Sequence, residues 1–176
     1  MFTCTSYMLK PGAIVTMDNL KSNFVNIDNL KEVSVIKSDV DLFYVEGAIC
    51  LKYIDEEILG QRHWDLVDQL WSYLVEMISI VLEKGQSETY FPDQPIKLEM
   101  NRIANNQISF SVESSEIKKW NVPEKDFFSI VLKSADEFFN FMINEFPETI
   151  DQYKNELIKI EDLMNKIQTQ NRSNGI

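Results

Sequence analysis

The 176-residue sequence predicts an α+β fold: a mostly antiparallel sheet packed on a central buried helix, with two antiparallel helices at the C-terminus. Three observations carry this. Residues 96–113 alternate apolar and polar side chains around an Asn-Asn pair. Residues 63–84 are apolar over most of a helical circumference, and after Pro123 the apolar spacing turns helical for the rest of the chain. Period two marks a strand with one buried face and period 3.6 a helix with a buried stripe.

Taken in order, the segments GAIVTM, FVNI and VSVIK within residues 12–37 read as short strands between Asp, Asn and Ser turn formers. In residues 41–55 one parity holds Phe43, Val45, Gly47, Ile49, Leu51 and Tyr53, an apolar row expected to face the core. Gly47 marks a bulge or a close approach of another backbone. Residues 63–84 place Trp64, Val67, Trp71, Leu74, Ile78 and Val81 on one stripe, with Leu66, Leu70, Tyr73, Met77 and Ile80 beside it, so the helix is buried on more than one side.

The stretch GQSETYFPDQP reads as a loop. Ile96, Leu98 and Met100, then Ile108, Phe110 and Val112, form the inner faces of a hairpin whose turn contains Asn105 and Asn106, residues that tolerate left-handed backbone. IKKWNV (117–122) adds a third strand. From Pro123 to about residue 146, Phe128, Val131, Ala135, Phe138 and Met142 form a helical stripe, with residues 127–133 as a strand the alternative. Pro147 ends this helix, and Thr149 with Gln152 forms a capping box for the next. In that last helix Ile150, Tyr153, Leu157, Ile160, Met164 and Ile167 are spaced as a heptad stripe. Either it packs on the preceding helix or it joins a second copy. The chain divides into an α+β core over 1–147, a C-terminal helix over 148–170 packed on it, and a disordered tail over 171–176.

Composition restricts function. A hydrophobic fraction of 44% and a charged fraction of 26% belong to a soluble protein. The formal charge of -11 is spread along the chain, with -4, -3 and -4 in residues 1–60, 61–122 and 123–176. No cluster of Lys and Arg exists to neutralise phosphates, so nucleic acid and anionic membrane surfaces are not expected partners. A basic protein is, because opposite charge accelerates encounter. Cys4 and Cys50 have neither a zinc spacing nor a disulfide framework, and with no signal-peptide pattern at the N-terminus they read as reduced thiols of a cytoplasmic protein.

No phosphate loop, zinc motif or nucleophile elbow is present, so no metal or cofactor is expected and no catalytic residue is assigned. The expectation is a non-catalytic binding protein of the bacterial cytosol, in its most concrete form an acidic immunity- or antitoxin-like protein covering a basic partner. Its binding residues are expected in and beside the proline-stiffened loop: Tyr90 and Phe91 as aromatic anchors, Asp93, Glu88 and Glu99 as charges. One alternative is a small carboxylate-based enzyme or ligand binder around the only histidine, His63, with Asp65 and Asp68. On a helix Asp68 would lie about 140° around from His63. The i+4 position is Val67, which cannot ligate a metal. The other alternative is a subunit of a larger assembly joined through the C-terminal stripe.

Overall fold

The computed structural model describes residues 1–173, with side chains through Thr169. The α+β class holds, with one revision: the strands form two separate antiparallel sheets. The first contains β1 (Phe2–Leu9), β2 (Phe24–Asn26), β3 (Glu46–Tyr53), β4 (Glu56–Leu59) and the short β5 (Asp65–Leu66), in the order β2-β1-β3-β4 with β5 also on β3. The second runs β6-β7-β8-β9 (Gln86–Tyr90, Lys97–Ile103, Gln107–Glu113, Ile117–Pro123) as an antiparallel meander. Helix α3 (Val67–Lys84) packs on β3 of the first sheet and β6 and β7 of the second; α4 (Glu124–Glu145) packs on β1, β8 and β9. α5 (Ile150–Ser173) lies against α4 and α3. One hydrophobic core therefore runs beneath both sheets, from Met8 and Ile49 through Trp71 to Phe110, Phe138 and Ile160.

The hairpin forms as its alternation predicts, and Asn105 and Asn106 take positive φ of 62° and 54° at its turn. Helix α4 is continuous, which settles residues 127–133 as helix, and the whole Phe128–Met142 stripe is buried. Gly47 answers to close approach: a Cβ there would sit 2.1 Å from the Tyr7 carbonyl oxygen and 2.8 Å from Val67 Cγ1. Helix α3 ends at Gly85, whose φ of 78° supplies the left-handed C-cap.

Other expectations are corrected. β1 went unread because its inward row, Phe2, Cys4, Ser6 and Met8, mixes polar with apolar residues. VSVI belongs to a helix, α2 (Leu30–Ile36), because the Asn29 side chain accepts from Glu32 N–H and Val33 and Ile36 bury one turn apart. GAIVTM is turn and loop.

The central helix starts at Val67, four residues later than expected, after a 3₁₀ turn at Gln61–His63 and β5. Trp64 therefore leaves the helical stripe and packs with Leu9, Phe24 and Ala48 on the outer face of the first sheet. The strand at 86–90 replaces part of the expected loop. Thr149 does not cap α5 through its hydroxyl; that group donates to the Met142 and Phe146 carbonyls at the end of α4.

The C-terminal stripe turns inward: Tyr153, Ile160 and Ile167 are buried, Leu157 and Met164 half-buried, and only Ile150 is exposed. Of the tail expected at 171–176, helical backbone continues to Ser173 and 174–176 lie outside the described residues. Among the described residues no helix is long and apolar enough to cross a membrane.

Candidate functional site: an acidic, aromatic rim

The five side chains expected to bind have separate placements. Phe91 is buried in the core and its N–H donates to the Ile96 carbonyl at 2.8 Å, closing the turn. It holds the loop and is not available as an anchor. Tyr90 is 59% exposed at the end of the edge strand β6. Glu88 and Glu99 face each other across β6 and β7 and share one cation, Lys97, at 2.8 and 2.7 Å. The hydrogen bonds that Lys97 donates to those carboxylates, Glu88 first, hold its pKa above the ordinary lysine value. Asp93 presents an exposed carboxylate, while its backbone N–H is held at 3.1 Å by both oxygens of Asp65.

His63, Asp65 and Asp68 do not form a common site. Asp65 is a buried acceptor for three backbone N–H groups: Leu66 at 2.7 Å, Asp93 at 3.1 Å and Gln94 at 2.9 Å. Gln94 in turn donates through Nε2 to the Trp64 carbonyl. The carboxylate thus pins the 91–96 loop to β5. Asp68 takes the Tyr153 hydroxyl at 2.9 Å and the Gln152 amide at 3.4 Å, tying α5 to the first turn of α3. Its Oδ1 is buried without a partner, and burial raises its pKa. His63 Nδ1 accepts the Gly60 N–H at 3.1 Å. Burial, reinforced by Arg62 and Lys118, lowers its pKa to about 4, so the ring is neutral at pH 7. Among the described residues no group of three or more His, Cys, Asp or Glu side chains is arranged to hold a metal ion.

The structure brings forward Phe43, which alternation had assigned to the core, and its neighbour Tyr44. Strand β3 begins only at Glu46, and residues 41–44 form a tight turn in which Asp41 Oδ1 accepts Phe43 N–H at 2.9 Å and the Asp41 carbonyl accepts Tyr44 N–H at 3.1 Å. The turn points Phe43 and Tyr44 outward, 89% and 63% exposed. The signal available in the sequence was Asp41 itself, an Asx-turn residue two positions before Phe43.

β5 joins this turn to the loop. Glu46 pairs with Leu66 and Gly47 with Asp65 in the ladder, and Asp65 grips the amides of 93 and 94. Glu46 consequently lies in the field of Asp93 and Asp65, and burial followed by those two charges raises its pKa. None of the ion pairs among the described residues includes Glu46, Asp65 or Asp93. The rim thus sets two exposed aromatic rings beside carboxylates that no cation neutralises.

The chain matches no protein-family pattern, and comparison with curated proteins and with solved structures found no match.

Proposed function

We propose that this chain is a non-catalytic binding protein whose rim at 41–46 and 90–93 docks a basic protein surface, in the manner of an immunity or antitoxin protein covering a basic partner. The observation that supports the reading is the pairing of exposed Phe43 and Tyr44 with the unneutralised Glu46 and Asp93. Aromatic anchors supply buried area at little entropic cost, and charges around them select the partner. A partner's Lys or Arg placed among these carboxylates would relieve the repulsion that raises Glu46. The overall charge of -11 steers the encounter in the same sense.

The test is affinity capture from the native host, followed by kinetics with the identified partner. Association is expected to slow with added salt. Phe43→Ala is expected to cost at least about 2 kcal/mol of binding, mostly in dissociation. The Glu46→Gln/Asp93→Asn pair is expected to reduce both the on-rate and its salt dependence, with the melting temperature not lowered. Salt-insensitive association, or a partner indifferent to all three substitutions, would rule out the rim.

A further inference from the structure

On the other side of β5 the two sheets do not meet. Between β4 with the 3₁₀ turn at 61–63 and the β8–β9 end of the second sheet lies a cleft of about 580 Å³. That volume is within the range of small-molecule sites. Ile58, Ile96, Val112 and Trp120 make its walls apolar; Arg62, His63 and Lys118 bring donors to it, and Glu116 at its rim is already paired with Lys118.

At the His63 ring, within the cleft, donors outnumber acceptors. A neutral imidazole has one lone pair, yet two donors are directed at His63: Gly60 N–H reaches Nδ1 at 3.1 Å, and Arg62 Nε–H faces Nε2 at 3.3 Å. The backbone amide is fixed and the shorter contact, so Nδ1 carries the lone pair and Nε2 the hydrogen. Two N–H groups then confront each other across 3.3 Å, and the carboxylate paired with Arg62 Nε, Glu57, is 3.7 Å away. Trp120, a lining residue 7% exposed, has its Nε1 buried without a partner among the described residues, so its indole N–H reports on changes in the cleft wall.

The cations are loosely held. Arg62 Nε is 3.7 Å from Glu57, and Lys118 meets Glu116 at 3.0 Å through side chains 42% and 66% exposed. Such solvated pairs exchange readily for a better acceptor. Both Arg62 and Lys118 line the cleft together with His63. An acidic molecule thus carries an apolar-walled cleft in which two cations, each only loosely paired with a carboxylate, stand with His63.

We propose that this cleft binds a small organic carboxylate, one carboxylate oxygen accepting from Arg62 Nε–H and His63 Nε2–H, Lys118 balancing its charge, and an apolar body lying on Trp120. An oxygen within hydrogen-bonding distance of both nitrogens fits across their 3.3 Å separation and converts the unmatched donors into charge-assisted bonds. The site is independent of the acidic rim, and Phe43→Ala is expected to leave it unchanged.

The test is an NMR titration of the full chain with benzoate, its neutral isostere benzamide, and inorganic phosphate. Benzoate is expected to shift the Trp120 indole N–H and the His63 ring saturably, with a Kd on the order of 1 mM. Benzamide and phosphate are each expected to bind at least about tenfold more weakly, one lacking the charge and the other the apolar body. Arg62→Gln and Lys118→Gln, both at part-exposed positions, are each expected to weaken benzoate about tenfold with an unchanged melting temperature. No saturable shift with benzoate, equal binding of benzamide or phosphate, or benzoate binding unaffected by Arg62→Gln would each overturn the proposal.

Discussion

His63 illustrates how burial reassigns a residue that looks chemical in the sequence. Its pKa is held down to about 4 by burial, with Arg62 and Lys118 adding repulsion, against an ordinary value of 6.5. The unfolded chain therefore takes up a proton between pH 6.5 and about 4 that the folded chain refuses. Stability from this group is complete above pH 6.5 and falls as the pH drops toward 4, by an amount on the order of 3 kcal/mol. Asp68 and Glu46 act with the opposite sign, since their raised pKa values favour the folded state as they protonate. The prediction is thus best read as a difference. As the only histidine, His63 gives an unambiguous NMR titration with a midpoint near 4. His63→Gln should flatten the acid-side loss measured by denaturant unfolding. A midpoint near 6.5 would show the ring to be solvated. Nothing in the residue types around 63–68 announced these roles, because Gly60, Tyr153 and the amides of 93 and 94 are supplied by other segments.

At the scale of elements, legibility followed the cleanness of the local period. The 97–113 hairpin and α4 were readable because Leu98, Met100, Ile108, Phe110 and Val112, and then the Phe128–Met142 stripe, repeat as buried apolar residues at a regular period, and Asn105 and Asn106 suit the turn's left-handed backbone. β1 was not, because Ser6 faces inward to accept the Trp71 indole N–H at 3.1 Å, a polar residue justified only by a partner 65 positions away. α2 was misread since Val33, Val35 and Ile36 favour strands by propensity, whereas its cap and the burial of Val33 and Ile36 favour a helix. The docking of α5 yields a prediction at this scale. Tyr153→Phe removes the hydroxyl from a buried carboxylate that already lacks a partner at Oδ1, leaving only the 3.4 Å contact from Gln152. The expected cost is about 1–3 kcal/mol at pH 7 by urea unfolding, and less once Asp68 is protonated in acid. A neutral outcome at both pH values would mean that apolar burial of Ile160 and Leu163 alone holds the helix.

For the whole molecule, the dispersed charge of -11 makes self-repulsion a term in stability. Raising the salt from about 10 mM to about 150 mM shortens the Debye length from roughly 30 to 8 Å, so the melting temperature is expected to rise modestly. A fall would mean that screened attractions such as Arg102–Glu124, bonded at 2.6 Å, outweigh the repulsion. The amino-acid sequence by itself determined the α+β class, the buried central helix, the hairpin and the diffuse acidity, since period and net charge are properties of neighbouring residues and of sums. Only the tertiary structure decided that the strands divide into two sheets with a cleft between them, that Phe91 is core while Phe43 is surface, and that Asp65 and Asp68 anchor a loop and a helix. Those outcomes depend on partners 28 and 85 residues away, and no local pattern encodes which distant donor a buried carboxylate will meet.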